Sequence, residues 1–343
     1  MGAYTLVLGA SHVSEKKERK EMTALLQVEN LTIRFPAPGR GLGSRKELTP
    51  VQGLSLSVGT GEIVAVVGSS GSGKSLLAHA VLGILPRQAK VTGTLRFRGE
   101  ELTLARQAAV RGREIALVPQ SVTFLDPLLQ AGRQVRYGVN EGDPAAVQRS
   151  LFRRYRLAEA VEKLFPFQLS GGMARRVLLA AATAGGAGLV IADEPTPGLD
   201  SEAVREALGR LRELADGGCG VMLITHDIES ALTVADRVAV LYSGTVVETA
   251  AAAEFPGPVV EPGAAAEFAG RGEALRHPYT RALWRALPGS GFTPLPGFQP
   301  AAGELPPGCA FAPRCGQADT ACRQERPPLR ELRGGTVRCV HAT

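Results

Sequence analysis

The chain alternates short, nearly all-apolar runs with longer runs of helical spacing. Leu26 to Phe35, Ile63 to Val67, Val91 to Arg98, Glu114 to Val118, Leu189 to Asp193, Val221 to Thr225 and Arg237 to Tyr242 read as strands. Leu76 to Leu85, Ala145 to Tyr155 and Ala174 to Thr183 read as helices. Strands alternating with helices predict an α/β core around a largely parallel sheet. From about Ser121 to Thr183 there is no convincing strand, so a helical subdomain is expected there. After Thr249 the composition shifts to Ala, Gly and Pro, through Gly257, Pro258, Pro262 and Gly263, which marks a linker. A separate appendage follows, with a short helical pattern at Thr280 to Leu287 and then a loop-rich segment carrying cysteines.

Composition narrows the class. With 343 residues, 44% hydrophobic and 21% charged, the chain has enough apolar surface for a full globular core, and disorder is not expected. Its longest uncharged stretch, Val177 to Ala192, is broken by glycines and falls short of the roughly 18 residues of a membrane span. Tyr4 to Ala10 is apolar but has no basic residue before it, so no secretory signal is read and the expected location is the cytoplasm. Met22 follows the charged run Glu15 to Glu21, and residues 1–23 read as a flexible extension or an upstream start. A net charge of +6 with only 5% aromatics lacks the basic and aromatic interleaving of a nucleic-acid surface. It suits work beside an anionic membrane leaflet.

The strand at Ile63 runs into Gly68-Ser69-Ser70-Gly71-Ser72-Gly73-Lys74-Ser75 and then into a helix. This is the G-x-x-x-x-G-K-[ST] loop: its glycines let backbone N–H groups curl around phosphates, and the helix N-terminus adds a favourable dipole. Lys74 is assigned to the β and γ phosphates and the Ser75 hydroxyl to Mg²⁺. The strand Leu189 to Asp193 ends in an Asp-Glu pair, so Asp193 is a candidate for holding Mg²⁺ through water and Glu194 for polarising the attacking water. Between these motifs lies Leu169-Ser170-Gly171-Gly172-Met173, where two glycines at a helix start offer N–H donors to an anion. Capping of that helix by Ser170 is the simpler reading of the same residues.

The P-loop, the LSGGM segment, the strand-ending Asp193-Glu194 and the later Thr225-His226-Asp227 resemble, in order and spacing, the ATPase subunits of ABC transporters. The resemblance spans about Leu26 to Thr249. It implies an ABC-type P-loop NTPase fold: a mixed sheet core, an antiparallel β subdomain and a helical subdomain. By residue it implies that Gln120 senses Mg²⁺ and the membrane partner, that Asp200 is the D-loop aspartate, and that His226 contacts the γ phosphate. Phe35 would stack on adenine, although the Gly-rich insertion Pro36 to Pro50 leaves its register open and core packing is the other reading. Two such ATPases pack head to tail, so Ser170, Gly171 and Gly172 would serve the partner's nucleotide. Lys74, Asp193, Glu194 and His226 are all present, which implies a competent ATPase. Domains are accordingly expected at residues 24–252 for the ATPase, with helical residues at about 121–183, and 253–343 for linker and extension.

The tail narrows the branch. His277-Pro278-Tyr279-Thr280-Arg281-Ala282-Leu283, then Gly308 to Cys315, Cys322 and Pro327-Pro328-Leu329, resemble the C-terminal region of oligopeptide, dipeptide and nickel importer subunits. A soluble ABC ATPase of translation or repair would carry two cassettes or a long coiled coil, and an exporter would lack this tail. The implied partners are a second ATPase subunit, either a paralogue or a second copy, two transmembrane permease subunits and an extracytoplasmic solute-binding protein, with the chain on the cytoplasmic face of the membrane. Cys309, Cys315, Cys322 and Cys339 form C-x5-C-x6-C-x16-C, while Cys219 stands alone. Four thiolates can hold Zn²⁺ or a [4Fe–4S] cluster, with His341 as a substitute ligand, and four reduced cysteines without metal is the other reading. The resemblance favours the cluster. Thr196-Pro197-Gly198 before Leu199-Asp200 departs from many peptide-importer relatives, and with Phe167-Gln168 it keeps nickel or a metallophore open as cargo beside peptides.

Overall fold

The computed structural model describes residues 24–38, 45–255 and 274–343; the expected extension at residues 1–23 and Gly257, Pro258, Pro262 and Gly263 of the expected linker lie outside the described residues. The chain begins with strands β1 (Ala24–Pro38), β2 (Arg45–Gly59) and β3 (Ile63–Gly68), then helix α1 (Lys74–Leu82). Strands β4 (Lys90–Phe97) and β5 (Glu100–Glu101), helix α2 (Leu104–Val110) and strand β6 (Ile115–Val118) follow. Residues 121–183 hold helices α3 (Ala131–Tyr137), α4 (Pro144–Arg154) and α5 (Gly171–Thr183) with single 3-10 turns and no strand. The core resumes with β7 (Leu189–Asp193), α6 (Ser201–Asp216), β8 (Gly220–Thr225), α7 (Ile228–Leu232), β9 (Arg237–Tyr242) and β10 (Thr245–Ala251). Helices α8 (Pro278–Arg285) and α9 (Thr320–Gln324) and strands β11 (Arg330–Leu332) and β12 (Gly335–Val337) complete it.

Two sheets organise these elements. An antiparallel sheet runs β2-β1-β4-β5, and an eight-stranded sheet runs β11-β12-β10-β9-β3-β8-β7-β6, parallel from β9 to β6. The central strand β3 is buried at all six positions. Its side chains alternate between two cores: Ile63, Ala65 and Val67 join one cluster with α5 and α6, while Val64 and Val66 join another with β1, β2 and α1. Burial on both faces is why the strand is a continuous apolar run.

Capping explains the helix starts. Asp143 accepts from the N–H groups of Ala145 and Ala146 ahead of Pro144, and Asp200 accepts from those of Glu202 and Ala203. Strand β2 was not expected from its sequence, because Pro50 and Gly53 interrupt its pattern. It lies at the sheet edge and pairs with β1 through repeated register shifts, a setting that tolerates proline.

The tail is not a separate appendage. Strand β12 pairs with β10, Glu248 opposite Val337 and Thr249 opposite Thr336, so the C-terminal hairpin extends the core sheet. Leu275, Tyr279, Trp284 and Phe311 belong to the main apolar cluster. The rings of Tyr242 and Tyr279 are 4.4 Å apart and those of Phe255 and Trp284 are 6.0 Å apart. The buried Arg276 side chain bridges Glu248 at 3.4 Å and Glu254 at 2.6 Å, beside the cassette's last strand.

Candidate functional site

The loop between β3 and α1 curls where no side chain fits. Gly68 has φ +153°, and a Cβ there would strike the carbonyl of Leu241; Gly73, at φ +98°, caps α1. Lys74, buried at the first position of α1, turns back so that its ammonium donates to the carbonyls of Gly68 at 2.8 Å and Ser69 at 3.1 Å. Burial lowers its pKa, and the charges of Glu194 and Asp193 oppose that shift.

Residues Ser70 to Leu76 line a pocket whose other walls are Pro50, Gln120, Glu194 and His226. Parallel strands deliver those side chains to one end of the sheet: β6 leads to Gln120, β7 to Glu194 and β8 to His226. Glu194 sits at φ +48°, a left-handed conformation held by its N–H donating to the carbonyl of Ile224 at 2.8 Å. Its Oε2 lies 2.9 Å from Nδ1 of His226, and the Thr225 hydroxyl donates to the same oxygen at 3.4 Å. The Glu194 side chain is 10% exposed and that of His226 66%, so a sheltered base faces a group open to incoming ligand.

The donor set beneath the pocket fits a hard cation. Asp193 is buried, its carboxyl pKa is raised by burial and lowered by the hydrogen-bonding Ser75 hydroxyl, and its Oδ1 has no hydrogen-bond partner among the described residues. Ser75 and Asp193 would hold Mg²⁺, which supplies charge neutralisation to a polyphosphate when bound.

Other expected site residues stand outside this pocket. Phe35 is half-buried against the core cluster of β1, β2 and α1 and does not line the pocket; Pro50 takes that wall. Ser170 caps α5 by accepting from the Met173 N–H at 3.2 Å, and with Gly171 it is exposed to solvent. A Cβ on Gly171 would meet nothing within 4 Å. Gly172 and Asp200 share a different cleft, between α5 and α6.

Sequence reasoning missed Arg175. From α5 its Nη1 donates to the carbonyls of Pro119 at 3.3 Å and Glu194 at 3.4 Å, joining that helix to the residue before Gln120 and to the backbone of Glu194. Its only sequence signal is that Arg175 and Arg176 are the sole charges in α5.

The four clustered cysteines share a small cavity with His277, Phe311 and His341. All five cysteines are free of disulfides. Burial raises the thiol pKa of Cys309, Cys322 and Cys339. Among the described residues, the His, Cys, Asp or Glu side chains whose ligand atoms fall within 4.8 Å of one another are Asp319, Cys322 and His341; Asp319 was not foreseen.

Known proteins carry the same arrangement. The family model described as ABC transporter matches residues 51–197, and that described as oligopeptide/dipeptide transporter, C-terminal region, matches residues 260–322. The oligopeptide transport ATP-binding protein OppD of Mycobacterium tuberculosis is 35% identical over 331 residues, 91% of this chain; the chain spans about half of that relative, 50% of its length. AppD of Bacillus subtilis, also an oligopeptide transport ATP-binding protein, is 32% identical over 339 residues, 93% of this chain and 97% of its own. Among solved structures, the ATP-binding cassette MJ0796 in a dimeric post-hydrolysis state superposes with a TM-score of 0.59 at 25% identity, covering 66% of this chain and 98% of that one. A P-loop closed by Glu194 and His226, a mixed sheet with helices α3 to α5 beside it, and this coverage by full-length relatives establish that the chain belongs to the ABC ATPases of the oligopeptide and dipeptide importer family.

Proposed function

We propose that the chain binds and hydrolyses ATP as one of two paired cassettes that drive import of oligopeptides or dipeptides across a bacterial cytoplasmic membrane. The observation that carries this reading is the split of the site. The P-loop, Gln120, Glu194 and His226 share one pocket, while Ser170 and Gly171, at the start of α5, are exposed outside it. Such a half-site is complete only when a second chain supplies its signature. The solved MJ0796 cassettes are described as dimeric, which supports the same pairing here.

Chemically, Lys74 and the P-loop N–H groups would hold the phosphates. Glu194, oriented by Thr225 and His226, would accept a proton from water attacking the terminal phosphorus. Permease subunits are the partners the family implies. To them we assign the exposed Phe124, Leu128, Tyr137 and Phe167, all within residues 121–183 that follow Gln120. With such partners the chain would sit at the cytoplasmic face of the membrane; none of the described helices is long and apolar enough to cross one. Peptide cargo is favoured over nickel because both named relatives are oligopeptide transport proteins. Calorimetry on the cognate binding protein, with di- and oligopeptides against Ni²⁺ and chelated Ni²⁺, tests this: binding of nickel without peptide would overturn the cargo assignment. ATP-dependent dimerisation of Glu194→Gln by light scattering tests the pairing, and a strictly monomeric ATP complex that also fails to pair with a paralogous cassette would count against it.

A second reading concerns the cysteines, which we propose hold one metal centre. Two observations support it. All four line one cavity, and the half-buried Arg326 and Arg338 beside Cys309 donate to carbonyl and hydroxyl oxygens rather than to a carboxylate among the described residues. Burial and the neighbouring Arg326 lower the Arg338 pKa to about 10, and Cys309 opposes that shift. A single Zn²⁺ at about 2.3 Å from each sulfur needs sulfurs about 3.8 Å apart. The tightest donor group among the described residues mixes Asp319, Cys322 and His341, a set that suits Zn²⁺, while the four thiolates around the cavity suit a [4Fe–4S] cluster. Metal analysis and visible absorption of anaerobically purified protein decide it. Four freely titrating thiols with no iron or zinc would sink the idea.

A further inference from the structure

Ser69 is the P-loop residue next to the lining of the nucleotide pocket, and its side chain meets the C-terminal segment. Its hydroxyl hydrogen-bonds the side-chain carbonyl of Gln299, 230 positions later in the chain. The same residue's backbone carbonyl accepts from the Ser72 N–H at 3.2 Å and from the Lys74 ammonium at 3.1 Å. Ser69 therefore links Gln299 to the first turn of the phosphate loop and to its lysine. Behind Ser69 the phenol of Tyr279 is buried at 2% exposure, and its hydroxyl has no hydrogen-bond partner of good geometry among the described residues. Burial raises its pKa and the neighbouring Ser69 lowers it.

The segment bearing Gln299 is itself fixed. Arg314 donates to the carbonyls of Pro296 at 2.8 Å and Leu295 at 3.1 Å and reaches the Tyr242 hydroxyl at 3.3 Å. The Ala302 carbonyl accepts from the Thr49 N–H at 3.3 Å, next to Pro50 in the pocket wall. Arg314 stands between Phe311 and Cys315, so the cysteine-bearing loop braces the strap that braces Ser69.

We infer that Gln299 is a positioning residue for nucleotide binding. Acting through Ser69, it holds the phosphate loop and the Lys74 ammonium in the arrangement that receives a polyphosphate, so the tail tunes ATP affinity without touching ATP. A pre-set loop gives up less freedom on binding, and loosening it weakens ground state and transition state alike. Gln299 lies half-exposed on a loop, so its replacement leaves the core intact.

The test is a double-mutant cycle on the full-length chain, reading ATP affinity by calorimetry and kcat with KM by steady-state hydrolysis. Gln299→Leu and Ser69→Ala are each expected to raise Kd and KM for ATP about fivefold, the equivalent of one hydrogen bond, with kcat within about twofold. The double variant should be no worse than either single one, because both break the same contact. Phe298→Ala, its neighbour at 95% exposure, should leave Kd unchanged. The inference is overturned if Gln299→Leu leaves Kd unchanged, if the two effects add, or if kcat falls while Kd holds.

Discussion

Arg276 and Glu248 form an ion pair in which neither side chain is exposed, at 3.4 Å, and the Glu248 carboxylate also accepts the backbone N–H groups of Arg276 and His277 at 2.8 Å each. Removing Glu248 takes the acceptor from two buried N–H groups and leaves the buried Arg276 with Glu254 as its remaining carboxylate. Glu248→Ala should therefore lower stability by about 3–5 kcal/mol, whereas Glu248→Leu combined with Arg276→Leu should cost less than the two single changes summed. Urea midpoints read both.

His277 gives a pH signature. It is fully buried, its Nδ1 accepts from the Tyr279 N–H, and burial drives its pKa from the usual 6.5 to about 3. The unfolded chain takes up a proton that the folded chain refuses across that window. Stability should thus fall as pH drops from 6.5 toward about 3, by up to about 1.4 kcal/mol per pH unit from this group. His277→Asn, which keeps an acceptor at the cap, should show a shallower slope in urea unfolding measured across pH.

Glu194→Gln keeps size and hydrogen-bonding reach to His226 but removes the base. Hydrolysis should fall by about 10²–10⁴-fold with ATP affinity retained. Steady-state turnover and calorimetry on one preparation would expose the opposite pattern.

A charge at the signature should separate binding from turnover. Gly171→Asp places a carboxylate where a partner's phosphates would sit, while its own phosphate pocket is elsewhere. Monomer ATP affinity should change less than about twofold while hydrolysis drops by about 10²-fold or more, the scale set by losing an electrostatic donor. Equal loss of both would mean that the signature acts on its own chain's nucleotide.

Local chemistry made the nucleotide pocket legible. A P-loop needs glycine at fixed places, so the curl of the loop from Gly68 to Lys74 could be read without coordinates, as could the placing of Asp193 and Glu194 at the end of an apolar strand. What escaped depends on long-range pairing. Strand β10 was not read as a strand, and the tail was read as separate, because the strand that covers its far edge arrives 87 positions later, where the hydroxyls of Thr249 and Thr336 meet at 2.7 Å. Arg175 and Gln299 escaped for the same reason, since each acts on a backbone or hydroxyl group remote in sequence and belongs to no local pattern. Phe35 shows the converse. An aromatic at about the place of an adenine-stacking residue packs partly buried against the core cluster, the second of the two readings its sequence left open, and the register of β1 against β2 shifts repeatedly before it.

The order of the large sheet ends on β11, only three residues long and carrying Arg330 and Glu331. Without the C-terminal hairpin the outermost strand would be β10, buried at six of its seven positions and rich in valine, threonine and alanine. A bare strand of that kind recruits other strands. The last residues of the chain thus serve as a solubility guard, replacing an adhesive margin with a short charged one, and a cassette trimmed after Ala251 should gel or precipitate before its catalytic machinery can be assayed.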